Sequence, residues 1–372
     1  MITVHAPGKL FIAGEYAVVE AGQPAVLVAV DRYVTVTLSP AQDTGKIRSD
    51  QYGRLPVAWR RFGDKLVLDT DQRPFDYILA AIDAVESYAL ERGLPLGYYD
   101  LDIASELDDD SGRKFGLGSS AAVTVATVRA LDRFYDLGLS HPELLKLALL
   151  ATLVVNPNGS GGDIASSMYG GWIAYRAFDR DWARRERERT GLVELLAAEW
   201  PGLAVRHITP PAALRLVVGW TGVPASTMSL VRTVQDRKGT EHSHYAEFLD
   251  DSRACVEGLI DAFENNDAEA ASARLRTARG LLNALSAASG LTIETPALTQ
   301  LCDSAERHGA AAKSSGAGGG DCGIVLAPND RDIRGMIGEW ERSDIRHLTL
   351  DVHPAEVGAA PVLGTETERP AS

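Results

Sequence analysis

The sequence predicts a two-domain protein that mixes strands and helices, and three observations carry that expectation. The chain has 372 residues, enough for two domains with buried cores at roughly 100–200 residues each. Its N-terminal part opens on strand-patterned segments, whereas the C-terminal part alternates long helical stretches with short strands. Glycine-rich loops punctuate both parts, and one of them, Lys114-Phe115-Gly116-Leu117-Gly118-Ser119-Ser120-Ala121-Ala122, runs straight into the helix-periodic stretch 123–131.

Residues 2–6 alternate as a strand, Pro7-Gly8-Lys9 breaks it, and apolar 10–13 follow before the turn Gly14-Glu15-Tyr16. Segments 25–30 and 33–38 read as two further strands, the second rich in β-branched residues. The polar, turn-rich 40–73 suggest a hairpin region. Residues 77–90 carry apolar side chains at helical spacing until Gly93-Leu94-Pro95 stops them, and 98–103 alternate again as a strand. The acidic loop 106–114, with Asp108-Asp109-Asp110, reads as solvated rather than metal-binding.

Beyond the glycine-serine loop a second helix spans 142–155 and ends at Asn156-Pro157-Asn158-Gly159-Ser160-Gly161-Gly162-Asp163, a run too rich in turn formers for helix or sheet. A helix restarts at 164–168 with Asp163 as its N-cap, and 170–175 return to a strand. The charge run 179–190 reads as a solvated helix or loop. Strand 214–220 leads through a turn carrying Ser226 and Thr227 into a helix from Met228. Residues 245–288 are helical with Ala-rich faces, and another helix covers 296–308. The glycine-rich 313–323 then precede strand 324–326, which implies close backbone approach. A helix at 331–341 and a strand at 347–352 close the fold, with a frayed tail from Pro354. These elements divide into domains 1–190 and 191–353 with a flexible tail 354–372, and no internal repeat is visible.

Hydrophobic residues at 45% and charged residues at 24% favour neither disorder nor a membrane protein. A formal charge of −14 argues against non-specific binding of nucleic acid or an anionic membrane surface. An anionic ligand would then have to be attracted locally. Lys9, Arg113, Lys114 and Lys313 each sit beside a glycine- or serine-rich turn, and each is equally readable as a surface charge. The three cysteines, Cys255, Cys302 and Cys322, have no metal-ligand spacing, and Met1-Ile2-Thr3-Val4-His5 lacks a signal-peptide pattern. A reducing, cytoplasmic compartment is the expectation, with Cys322 small and buried rather than ligand-facing.

The chemistry concentrates in the loops. Glycines let backbone approach a ligand, and free N–H groups at a helix start favour an anion, so 114–122 suit a phosphate cradle as well as they suit an ordinary N-cap. Ser119 and Ser120 add hydroxyls that could reach Mg²⁺. With loops 7–15, 156–163 and 313–323 converging on the cradle, one pocket would hold phosphate-binding backbone, hydroxyls, the lysine Lys9 and the carboxylate of Asp163. Those are the parts of a phosphoryl transfer, which works mainly by positioning and charge neutralisation. Asp163 could accept a proton, orient the attacking oxygen, or serve merely as a cap.

Three segments together resemble, in order and spacing, the motifs of the GHMP small-molecule kinases: 7–16, 116–122 and 315–321. Within that family the wording is most similar to the branch whose acceptor is the phosphate of 5-phosphomevalonate. The resemblance implies an α+β GHMP kinase fold, with an N-terminal domain like domain 2 of ribosomal protein S5 and a C-terminal ferredoxin-like domain. It implies ATP and Mg²⁺ as cofactors, a small-molecule acceptor, and no nucleic-acid or membrane partner, the chain being a monomer or homodimer.

Carried onto this sequence, the resemblance implies that Lys114, Gly116, Leu117, Gly118, Ser119, Ser120 and Ala121 bind the ATP phosphates, with Ser119 or Ser120 on Mg²⁺. Asp163 and Lys9 match the catalytic pair, and the acceptor side draws on Lys9, Tyr16, Ser160, Gly161, Asp163, Ser226, Thr227, Gly316, Ala317 and Gly318. A phosphate acceptor is already ionised near neutral pH, so Asp163 need only position it. Mevalonate kinases carry a glutamate metal ligand upstream of the aspartate, and 152–156 offer no carboxylate here. Other readings are a kinase of mevalonate or homoserine, a diphosphomevalonate decarboxylase, or a regulator that has kept the fold without turnover.

Overall fold

The computed structural model describes residues 1–51, 55–69, 75–109, 111–223, 230 and 242–362. Strand β1 (Ile2–Ala13) pairs antiparallel along β2 (Pro24–Ala41), with register shifts at Pro7/Gly8 and Phe11/Ala13. The break expected at Pro7-Gly8-Lys9 is thus a bulge within one strand. Sheet pairing resumes because the irregular backbone finds other partners: Ser167 Oγ donates to Pro7 O at 2.8 Å, and Lys9 N donates to Leu117 O at 2.8 Å.

The two strands expected at 25–30 and 33–38 are likewise one. The first half of β2 is buried throughout and the second half alternates, because the first half has elements packed on both faces. Helices α2 (Ser119–Tyr135) and α4 (Gly162–Tyr169) pack against it, and so does α7 (His242–Glu264).

Around β2 the first sheet adds β3 (Gly45–Ser49), β4 (Val57–Phe62), β5 (Lys65–Leu68), β6 (Tyr98–Ser105), β7 (Trp172–Arg176) and β8 (Ala204–Ile208). Its order is β5-β4-β3-β6-β2-β7-β8, with β1 also on β2. Helices α1 (Asp76–Glu91) and α3 (His141–Val155) pack with α2. Ser140 and Glu143 form a capping box that starts α3. Helices α5 (Arg180–Thr190) and α6 (Leu192–Ala197) lead into β8. Because β8 pairs with β7, the first sheet continues past residue 190, and the expected boundary falls inside the N-terminal domain.

The second sheet runs β10-β11-β9-β12, built from β9 (Leu214–Trp220), β10 (Ala311–Ser314), β11 (Cys322–Pro328) and β12 (Arg346–Leu348), all antiparallel. Helices α7, α8 (Ala268–Ser289) and α9 (Pro296–Arg307) lie between β9 and β10, and α10 (Arg334–Glu341) lies between β11 and β12. In chain order this is β-α-β-β-α-β with the second strand at one edge, the ferredoxin-like arrangement. Leu301, Trp340 and Val325 pack its core, and Trp340 Nε1 donates to Ser304 Oγ at 2.6 Å.

The chain then returns to the first domain. His353 N donates to Ala29 O, Glu356 N donates to Tyr169 O, and Val362 exchanges both backbone bonds with Val205. Glu356 also pairs with Arg129 at 2.9 Å, and a hydrogen bond with His353, helped by the Arg129 charge against the cost of burial, holds its carboxyl down to about 2. The frayed tail expected from Pro354 is therefore a docked strap as far as residue 362, since its backbone and its charge both find partners there.

Candidate active site

Gly116 and Gly118 stand at φ 80° and 83°, so the cradle turns through left-handed backbone that glycine adopts without strain. Gly118 is the N-cap of α2, and its carbonyl accepts from Ala121 N and Ala122 N. The amides of Ser119 and Ser120 thus begin a helix of 17 residues, where orphan donors and the dipole favour an anion. Ala121 and Ala122 are buried, which seats the helix close behind the loop.

The side chain of Lys9 lies across the cradle: a Cβ added at Gly118 would come 2.8 Å from Lys9 Cε. Lys9 is buried, its ammonium 5.5 Å from the centre of the Phe11 ring, and among the described residues it forms no ion pair. Gly118→Ala combines this clash with left-handed backbone that costs an L-residue about 1–2 kcal/mol. The variant is expected to lower kcat/KM at least about tenfold, as read from ADP release.

Asp163 is in the first turn of α4, whose N-cap is Gly161 at φ 78°. The expectation that Asp163 caps the helix is corrected: the chain turns at the glycine, and the carboxylate accepts from the adjacent Ile164 N at 3.0 Å. Gly161 is packed against Leu149 and Tyr175, so it shapes the turn, while Ser160 Oγ accepts from Gly162 N at 3.3 Å. Asp163 and the cradle meet around Tyr77, a residue the sequence pattern left inside a helix. Burial raises the Tyr77 phenol pKa, the charge of Asp163 raises it further, and a hydrogen bond with Ser120 opposes both.

Beside this group an open cleft is lined by Lys114, Ser119, Ser120 and Tyr77. Its apolar wall is Val34, Ile103 and Val123, and its polar edge is Ser49, Gln51 and Ser105. Lys114 is exposed here, whereas Arg113 is held by Asp109 at 3.2 Å and lies 5.2 Å over the Trp220 ring. Asp108 accepts from Gln51 Nε2, so the described carboxylates of the acidic loop have protein partners. Asp110 lies outside the described residues.

The third glycine loop joins the same place from the C-terminal domain. Phe11 N donates to Ser315 Oγ at 3.0 Å, and Ser315 Oγ donates to Phe11 O at 2.9 Å. Gly318 approaches Ile293, Gly316 faces open space, and Asp321, at φ 51°, presses its carboxylate against Gly116. Cys322 Sγ donates to Phe115 O at 3.1 Å, and burial pushes its thiol pKa well up, as befits a packing residue.

Two expectations change. Lys313 is fully buried and paired with Glu15, so it offers no charge to a ligand. Tyr16 is also buried, its hydroxyl donating to Ala317 O at 2.5 Å, which takes it off the acceptor-lining surface. The physical reason is the same for both: each reaches a partner some 300 positions away, which no local pattern reveals. Ser226 and Thr227 lie outside the described residues.

A glycine turn that opens a helix, Lys9 across it, Asp163 reached through Tyr77, and a loop from the second domain thus gather between two α+β domains the kinds of group that phosphoryl transfer uses. The chain belongs to the GHMP kinases. Residues 76–171 match the model for the GHMP kinases N terminal domain, and 259–344 match that for the GHMP kinases C terminal. The chain is 46% identical over 369 residues to the phosphomevalonate kinase of Streptomyces sp. (strain CL190), covering 96% of this chain and 98% of that one. Among solved structures, a Listeria innocua protein superposes with TM-score 0.89 at 38% identity, over 95% of this chain and 98% of that one. Streptococcus pneumoniae phosphomevalonate kinase in complex with phosphomevalonate and AMPPNP superposes with TM-score 0.83 at 30% identity, over 95% of this chain and 100% of that one.

Proposed function

We infer that the protein transfers the γ-phosphoryl group of ATP to the phosphate of (R)-5-phosphomevalonate, giving (R)-5-diphosphomevalonate on the mevalonate route to isoprenoids. The observation that carries this reading is the near full-length identity to a phosphomevalonate kinase, on a fold that superposes on another holding phosphomevalonate and AMPPNP. The site supplies the means. The cradle and the start of α2 take the nucleotide phosphates, and the apolar-walled cleft beside them suits a nucleobase. Lys9 balances the charge of the transferring group. Asp163 orients the acceptor, and loop 315–318 shapes the acceptor side.

The hydroxyls of Ser119 and Ser120 line this cleft and are hard oxygen donors, which fits a Mg²⁺ that keeps several waters and nucleotide oxygens. When bound, the ion neutralises phosphate charge. Three cysteines without disulfides fit a reducing cytoplasm.

The test is ADP release from Mg²⁺-ATP with phosphomevalonate, mevalonate and homoserine in parallel, repeated with Lys9→Met. Turnover on phosphomevalonate is expected, with kcat reduced roughly 10²-fold or more in the variant. Turnover on mevalonate alone would keep the kinase and discard this acceptor, CO₂ release would indicate a decarboxylase, and silence on all three would leave a regulator.

A further inference from the structure

The turn after the lysine strand is strained. Ala17 N donates to Glu15 O at 2.7 Å across Tyr16, which stands at φ 63°, ψ −49°. A three-residue turn closed this way at positive φ is a rare, strained γ-turn, and a tyrosine is a bulky residue to hold in it. Such backbone persists where the surroundings over-determine it, and it concentrates at functional sites.

The surroundings here lie in the other domain. Glu15 pairs with the fully buried Lys313, whose ammonium also donates to Ser314 O at 2.6 Å. The Tyr16 ring packs among Tyr245, Phe248, Leu282 and Ile293, and its hydroxyl donates to Ala317 O. With the reciprocal bonds between Phe11 and Ser315, residues 11–16 and 313–317 are held as one body. Between the anchors at Ser315 and Ala317 sits Gly316, at φ 73°, with nothing within 4 Å of where a side chain would begin. The loop is thus pinned on both sides of its open point, and Lys9 lies two residues before Phe11 on the same strand.

We propose that Tyr16 is a positioning residue for the phosphorylated acceptor: the strained turn aims its hydroxyl at the Ala317 carbonyl, which fixes loop 316–318 relative to Lys9. This rests on the reading of loop 315–318 as the acceptor side. Tyr16 does not itself touch the acceptor. Burial, and secondarily the charge of Glu15, raises its pKa well above the usual phenol value, so it remains a donor throughout the neutral range. The strain has a purpose under this view, because a relaxed backbone at residue 16 would point the phenol away from the loop.

The decisive variant is Tyr16→Phe, which keeps the ring and its packing and removes the one hydrogen bond. The KM for phosphomevalonate is expected to rise about tenfold, the equivalent of one net hydrogen bond, with the KM for ATP within about twofold. Amide exchange at 316–318 should quicken, while that at 119–122 stays as in the parent. Ser315→Ala, which cuts the neighbouring anchor, is expected to show the same selective rise and covers the case in which Tyr16→Phe folds poorly. A phosphomevalonate KM unchanged in both variants, or an equal rise in both KM values, would overturn the proposal. Wild-type silence on phosphomevalonate would instead overturn the functional reading on which it stands.

Discussion

Asp163→Asn is expected to lower kcat by about 10²-fold and to leave the thermal unfolding midpoint nearly unchanged. The argument is geometric. Asp163 is partly exposed in the first turn of α4, and the bond it makes is accepted by Oδ1 from Ile164 N. An asparagine oxygen can accept the same bond, so the local structure survives while the charge does not. The KM for ATP should hold or fall slightly, because the lost carboxylate stands near an anion cradle through Tyr77 and Ser120. A kcat within about fivefold of wild type would remove Asp163 from the mechanism.

The pH profile separates the two roles open to this carboxylate. An orienting group leaves the acidic limb to the acceptor phosphate, whose second ionisation lies near about 6. The limb would then persist in Asp163→Asn at a lower plateau. A proton-accepting group would instead take the limb with it.

The largest loss of stability should come from Lys313→Met. Removing one partner of a buried ion pair leaves the other charge without compensation, at a cost of about 3–5 kcal/mol. Glu15 and Lys313 have 3% and 0% side-chain exposure, so water cannot take over either group. A midpoint lower by roughly 4–6 °C is expected in calorimetry. The double variant Glu15→Leu/Lys313→Met should recover most of the loss, since both charges then leave the interior together. Additive losses would show that the pair is not the energetic unit its geometry indicates.

The glycine turn and the helix behind it are legible in the chain because their conformation is local. Gly116 and Gly118 take left-handed backbone, and the apolar period beyond them makes a helix whatever lies around it. The starts and ends of α1, α3 and α9 follow their periodicity and their proline and capping signals in the same way. The motif order that resembled the GHMP kinases is likewise a property of the chain.

Partners across the fold were not readable. Pro7 looks like a strand breaker until Ser167 and Leu117 are seen to take up the irregular backbone. Strand β8 looks like part of the second domain until it pairs with β7, and the segment after Pro354 looks loose until Ala29, Tyr169 and Val205 bind its backbone. Tyr77 carries no signal at all within its helix, because its meaning is its distance to Ser120 and Asp163. Which segments turn, coil and open a helix at a glycine is legible in the chain, since those follow from the conformational freedom of single residues and their neighbours. The tertiary structure decided whether a charge or hydroxyl is offered to a ligand or bound internally: Lys313 meets Glu15 across 298 positions and Tyr16 meets Ala317 across 301, and a buried polar group goes to whatever partner the fold brings within reach.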